Sequence, residues 1–272
     1  MIEIRQRETS AVLFQTEAPS LKGISLRSEN LAYAQLDDAD LRGADLRGAD
    51  LCLASLRNAR LAGTNLCGAD LCGANFEGAD LSEADLTDAR LIYGRFVGAT
   101  MSRAIFMRAT MDHADLTGAN GDSARFARAS LAYATLRGAR LTGTDFTAAS
   151  LAFSDLSGAQ LSFAELERAT LTSAILRNTD LTGAELSMTN LDGATLAGAV
   201  FRGASLYRTL LTKCPDLHLA TGLDEVHHLG PSVMDVGTLL TTAPALPSAL
   251  LTAVGVPPEL LEHLQAGVQA VI

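Results

Sequence analysis

The chain has no tryptophan and only 5% aromatic residues, so its 272 residues cannot build a core around a few large rings. Basic charge is scarce as well: 21 Lys and Arg stand against 31 Asp and Glu. The net charge of −10 and pI near 4.9 exclude a generally basic footprint, so no direct nucleic-acid binding is expected. The four cysteines, Cys52, Cys67, Cys72 and Cys214, form no C-x-x-C pair and no zinc spacing. That argues against a disulfide framework or a metal site and fits a reduced compartment. Long apolar runs are absent too: charges interrupt residues 1–8 where an export signal would be apolar, and Pro244 and Pro247 break the tract from Ala243 to Val256. A soluble, cytoplasmic protein without membrane contact is expected.

Signatures of chemistry are equally sparse. Phosphate-binding loops, dinucleotide fingerprints, zinc-protease helices and nucleophile elbows do not occur in a credible context. Of the five histidines only His227 and His228 are adjacent, and neighbours in a chain do not generally share a face, so no metal or cofactor is expected. The many aspartates could in principle work in pairs as acid and base, but their regular spacing marks them as solvated turn residues. A non-enzymatic protein is expected.

What is present is a repeat. From Leu31 to Leu211 every fifth residue is Leu, except Phe76, Phe96, Phe106, Phe126, Phe146, Phe201, Met101, Met111 and Gly121. Two residues before each centre stands Ala or a small substitute such as Thr64, Gly94, Thr144, Ser154, Thr179, Thr189 or Thr209, with Glu29 the one misfit. A period of five fits neither regular element. On a helix the leucines would spiral round every side, and on a strand they would alternate between faces. The chain must therefore turn at every repeat. Four short sides close a coil of about twenty residues, with Leu on the axis and Ala at the corner, and about nine such coils stack at the inter-strand spacing of about 4.8 Å.

The units Ala44-Asp45-Leu46-Arg47-Gly48 and Ala49-Asp50-Leu51 resemble the pentapeptide repeat family. The resemblance implies an all-β fold, a right-handed quadrilateral β-helix, over residues 31–211. Residues 1–30 are expected to cap it as a hairpin of two short strands, because an open end would expose core and unpaired edges. Residues 212–272 carry helix signals, with Ser232 to Asp235 reading as a capping box and Pro257 and Pro258 opening a last helix. This region is expected to cap the rod or to join two rods. Residues 222–232 resemble a connector that follows such arrays in some bacterial proteins. In similar solenoids of the quinolone-resistance type a C-terminal helical element makes a dimer, which implies the same use here of Leu260, Leu261, Leu264 and Val268.

With twenty residues per coil, surface columns can be read directly. One column runs Tyr33, Leu53, Gly73, Tyr93, His113, Tyr133, Phe153, and beside it run Ala32, Cys52, Cys72, Ile92, Asp112, Ala132, Ala152. The partner-binding candidates are Tyr33, Leu53, Ile92, Tyr93, Tyr133 and Phe153, although the same rings could simply form a stabilising ladder. Charge is uneven along the rod. Residues 31–90 carry eleven acids and five arginines, whereas residues 91–150 carry seven arginines and four acids. Asp37, Asp38, Asp40, Asp45, Asp50, Asp70, Asp80 and Asp85 are expected to make an acidic face, and Arg108, Arg128, Arg168 and Arg208 a basic column. Gly121 is expected to leave a void that Phe106, Phe126 and Phe146 could fill.

The function expected from these features is a rod-shaped protein-interaction module acting through its faces. The resemblance supplies an alternative: some pentapeptide solenoids mimic DNA, bind the type II topoisomerases DNA gyrase or topoisomerase IV, and protect them from poisons. The acidic first coils favour that alternative. The basic middle and the absence of any loop inserted in the repeats weigh against it.

Overall fold

A computed structural model describes residues 1–265. Its body is a stack of coils in which residues twenty apart are bridged in parallel, from Ser25↔Asp45 through Asn190↔Leu210. Each coil contains four turns, one per repeat, and each side is a single bridged residue rather than a strand. The expected all-β character therefore holds for the backbone pairing, but no continuous closed sheet forms, because a turn follows every bridge. The ladder also begins before residue 31 and ends after residue 211.

The repeat around Leu51 shows why this sequence prefers this path. Leu51 N–H donates to Asp70 O at 2.7 Å, Leu53 N–H to Cys72 O at 2.8 Å, and Ser55 N–H to Ala34 O at 2.9 Å, so each coil is held to both neighbours. Ala54 N–H closes the turn onto Leu51 O at 3.0 Å. The remaining amide, that of Cys52, donates to Asp50 Oδ1 at 3.0 Å. All five amides of the repeat are thus satisfied, and the last one needs a short acceptor side chain just before the leucine. That requirement explains the Asp and Asn at this position: Asn65, Asp80, Asp85 and Asp115 accept in the same way. At Ser55, Ser130 and Arg140, which offer no such acceptor, an aspartate one coil earlier accepts instead: Asp37 from Arg57 N–H at 2.9 Å, Asp112 from Ala132 N–H at 3.0 Å and Asp122 from Thr142 N–H at 3.0 Å.

The central residues fill the axis and are buried. Inside, Phe106, Phe126 and Phe146 stack at 4.6 and 5.1 Å between ring centroids, and Phe76 on Phe96 at 4.8 Å. These rings are not what fills the space at Gly121. A β-carbon there would lie 3.0 Å from Leu141 Cδ2, 3.7 Å from Met101 Cε and 3.8 Å from Ala124 Cβ. The coils directly above and below thus close over the gap without a bulge. At the small corner, Thr64, Thr144, Thr179, Thr189 and Thr209 replace Ala at no polar cost, since each hydroxyl donates to a carbonyl of the preceding coil at 2.7–3.0 Å. Cys214 takes that same corner position, with Sγ 3.2 Å from Leu191 O.

At the start, β1 (Ile2–Gln6) pairs antiparallel with β2 (Val12–Thr16) and with β3 (Ala34–Gln35), and Ile4 is buried on the first coil. At the other end the chain continues round the axis with longer loops, bridging Val200↔Thr221 and Leu210↔Val233. Between them β4 (Ser205–Leu206) pairs in parallel with β5 (His227–His228). Three helices follow: α1 (Val236–Thr242), α2 (Ser248–Ala253) and α3 (Pro258–Gln265). The capping box read at Ser232 is displaced. The residue that caps α1 is Asp235, which accepts Thr238 N–H at 3.0 Å, whereas Ser232 lies buried upstream. Leu261 and Leu264 pack against the chain's own core while Leu260 is exposed, and Val268 falls outside the described residues.

Candidate functional site

In every repeat the second residue after the central position has positive φ, the left-handed conformation that glycine adopts without strain. Four columns of such residues mark the corners of the rod. One corner is glycine at Gly78, Gly98, Gly118, Gly138 and Gly158, with φ of 62–68°. The aromatic column occupies another: Tyr93, His113, Tyr133 and Phe153 all hold φ of 60–61°. A side chain there is strained, so local backbone preference does not account for the rings.

The four rings form one stack. Tyr93 and His113 have centroids 5.0 Å apart, His113 and Tyr133 5.0 Å, and Tyr133 and Phe153 4.9 Å, with interplanar angles of 17°, 9° and 6°. Tyr93, Tyr133 and Phe153 are respectively 63%, 53% and 49% exposed, so a continuous aromatic edge faces solvent. His113, which composition alone gave no reason to select, is an inner rung between Tyr93 and Tyr133. Tyr33 lies off the stack, half-buried, where its carbonyl accepts the Arg7 N–H of the N-terminal cap at 3.0 Å. Leu53 and Ile92 lie beside Cys52, Cys72, Gly73 and Tyr93 around a shallow apolar depression of about 360 Å³.

The acidic residues do not form one face. Bridging places Asp40 and Asp80 on one side, Asp45 and Asp85 on the next, and Asp50 and Asp70 on a third. Several are also neutralised. Asp40 meets Arg42 through two bonds of 2.7 Å and Arg60 at 3.1 Å, and the Arg42 guanidinium holds its carboxyl far below the usual range. Arg47 lowers Asp45 to about 2, and Asp70 holds Arg90 at 2.7 Å. Asp37 accepts the Arg57 N–H at 2.9 Å, and Asp38 sits at a corner with φ of 58°. In the basic column, Arg108 is paired with Asp88 and Arg168 with Glu167. Sequence spacing missed two exposed apolar features. Phe163, 65% exposed, stands on a different corner, and Leu229, Val236 and Leu240 surround the C-terminal end.

Among the described residues no group of three or more His, Cys, Asp and Glu is arranged to hold a metal, and no helix is long and apolar enough to cross a membrane. His227 is exposed, whereas both ring nitrogens of His228 are buried without a partner and burial lowers its pKa.

A stack of short coils with leucine on the axis, alanine at the corner and a dressed outer edge defines a right-handed β-helix of the repeat class. The family profile described as Pentapeptide repeats matches residues 20–58, 53–88, 84–120, 124–162, 149–187, 159–196 and 180–214, and the chain belongs to that family. Among solved structures it is similar to HetL, a pentapeptide repeat protein involved in heterocyst differentiation regulation from the cyanobacterium Nostoc sp. strain PCC 7120. The two share 32% identity over 79% of this chain and 91% of that one, with a TM-score of 0.54. A pentapeptide repeat protein of the Arabidopsis thaliana thylakoid lumen matches at 33% identity over 33% of this chain and 63% of its own, TM-score 0.33. QnrB1, a plasmid-mediated fluoroquinolone resistance protein, matches at 19% identity over 79% and 95%, TM-score 0.36. No curated protein sequence matches the chain.

Proposed function

We propose that this protein is a four-sided docking rod whose recognition edge is the stacked corner of Tyr93, His113, Tyr133 and Phe153, and that its partner is another protein. The observation that carries the reading is the placement of four exposed rings in a conformation where glycine is unstrained and where a parallel corner of the same rod uses glycine. Large, rigid, half-exposed rings are the side chains that concentrate binding energy at protein interfaces. The rod supplies the rigidity, since every rung is fixed by inter-coil hydrogen bonds. Affinity capture from cells by the wild type and by Tyr93→Ser with Tyr133→Ser, quantified by mass spectrometry, tests it. Proteins retained by the wild type are expected to be lost by the variant while it stays folded by circular dichroism at the temperature of capture, and an identical capture profile refutes the reading.

The alternative reading, a DNA-mimicking ligand of DNA gyrase or topoisomerase IV, has its support in the acidic excess of residues 31–90. Dispersal of those acids over three sides, and the pairing of Asp40, Asp45 and Asp70 with arginines, leave less uncompensated charge than a phosphate-like surface needs. A gyrase supercoiling assay with a fluoroquinolone and titrated protein separates the two: neither inhibition nor protection is expected. For the C-terminal helices, the packing of the partly buried Leu261 and Leu264 against the chain's own core supports a cap rather than a dimer seam.

A further inference from the structure

We propose that Cys52 and Cys72 form a two-thiolate site for a soft monovalent cation, copper(I). The site lies on the column beside the recognition edge and is independent of it.

The two cysteines are one coil apart, so they stack as successive rungs although their spacing along the chain hides them as a pair. The backbone fixes the register: Asp50 bridges Asp70 two residues earlier, and Leu53 N–H donates to Cys72 O at 2.8 Å just after. Both side chains are half-buried and line the same shallow depression, so a solute reaches them together. In register their β-carbons stand about 4.8 Å apart, the spacing of the coils. The adjacent ring column keeps that spacing out to its side chains, at 4.9–5.0 Å. A disulfide needs β-carbons about 3.5–4.5 Å apart, and the hydrogen bonds on either side keep the coils from closing further. A linear sulfur–metal–sulfur unit fits instead, since two bonds of about 2.3 Å, the length at thiolate-bound zinc, span about 4.6 Å. Zinc itself takes four ligands, and here the donors stop at two. The rungs flanking the pair are Ala32 and Ile92, and Asp70, the carboxylate beside Cys72, is engaged by Arg90 at 2.7 Å. Among the described residues no third His, Cys, Asp or Glu completes a cluster. A pair of soft thiolates with no further donor selects copper(I). Burial raises both thiols, Cys72 to about 11, so they are protonated at neutral pH. Binding breaks both S–H bonds and forms two S–Cu bonds from the sulfur lone pairs. Both protons pass to solvent, copper keeps its oxidation state, and the centre carries one negative charge near the Arg90 guanidinium. Cys67 is half-buried as well, but its flanking rungs are Arg47 and Thr87, which offer no second thiol.

The test is an anaerobic titration of the reduced full chain with copper(I) buffered by bicinchoninate, read by loss of the chelator complex's absorbance, with bound metal counted by native mass spectrometry. One copper per chain is expected, with affinity falling about a hundredfold on Cys52→Ser or Cys72→Ser and unchanged on Cys67→Ser. X-ray absorption at the copper edge is expected to show two sulfur neighbours and no nitrogen. Cys72→Ala, which installs the residue the same column carries at Ala132 and Ala152, replaces the Ser variant should that fold poorly by circular dichroism. Affinity retained by a folded Cys72 variant, binding that follows Cys67, or copper shared between two chains overturns the site. Quantitative formation of a Cys52–Cys72 disulfide by oxidised glutathione overturns it in favour of a redox pair.

Discussion

Replacing Tyr93, His113, Tyr133 and Phe153 together by glycine is expected to cost the rod only about 4 kcal/mol, the half burial of the rings. The three ring contacts contribute about 0.5–1.5 kcal/mol each beyond area burial, roughly 3 kcal/mol in all. Against them, each non-glycine residue in the left-handed region costs about 1–2 kcal/mol, roughly 6 kcal/mol over the column. Glycine's greater loss of backbone freedom on folding takes back about 0.5–1 kcal/mol per position, roughly 3 kcal/mol. Stacking, strain and backbone freedom therefore nearly cancel, which leaves the half burial of the rings, about 1 kcal/mol each and roughly 4 kcal/mol in all, as the net loss; the glycine corner at Gly78, Gly98, Gly118, Gly138 and Gly158 shows that the fold accommodates such a column. A loss of about 4 kcal/mol corresponds to a melting shift of about 8–16 °C, using about 2–4 °C per kcal/mol for a domain of comparable size. Thermal unfolding followed by circular dichroism measures it. A fall of 20 °C or more would show that the rings are a structural ladder and would remove the main support for a recognition edge.

Two interior glycines are expected to respond in opposite directions. Gly121→Ala meets only the terminal methyl of Leu141 at 3.0 Å and should stabilise by about 0.5–1 kcal/mol through the unfolded chain, whereas Gly94→Ala meets the Leu91 carbonyl oxygen at 2.9 Å and should destabilise by about 1–3 kcal/mol. Urea titration of both variants checks the signs. Burial depresses the pKa of His228 in the folded state, so the unfolded chain binds the extra proton first and stability falls as pH drops through 6.5 toward the lowered value. Melting curves between pH 7.5 and 5 should show that loss in the wild type and a smaller one in His228→Leu. At the C-terminal end, Leu261→Ser with Leu264→Ser should loosen the cap and speed proteolysis there. Leu260→Ser should leave it intact, and light scattering should give the same mass for all three proteins; a dimer mass lost on Leu260→Ser would contradict the cap.

Much of this molecule was legible in its sequence because a solenoid is quasi-one-dimensional. Each repeat touches only its neighbours, so a period of five and a coil of twenty residues place every side chain on a known column. The leucine axis, the small corner and the co-alignment of Tyr93, Tyr133 and Phe153 all follow from counting. Counting also put His113 in that column, but nothing in a lone histidine marked it as a rung until its ring was found parallel to its neighbours.

What counting could not supply was angle and contact. Asp40, Asp45 and Asp50 are five residues apart and look like one acidic run, yet each five-residue step turns a corner, so charge close in sequence is scattered round the rod. Whether a carboxylate is free or held also depends on side-chain reach: Arg42 doubles back onto Asp40, and Arg90 crosses a coil to Asp70. Outside the repeat the sequence lost its ruler. The start of α1 at Asp235 rather than Ser232 was decided by which side chain could reach the open amides once the last coil was laid down. The sequence by itself determined the period, the axis and the columns, because those depend only on spacing. Only the tertiary structure decided which columns stack and which charges cancel, because those depend on how side chains lean across coils.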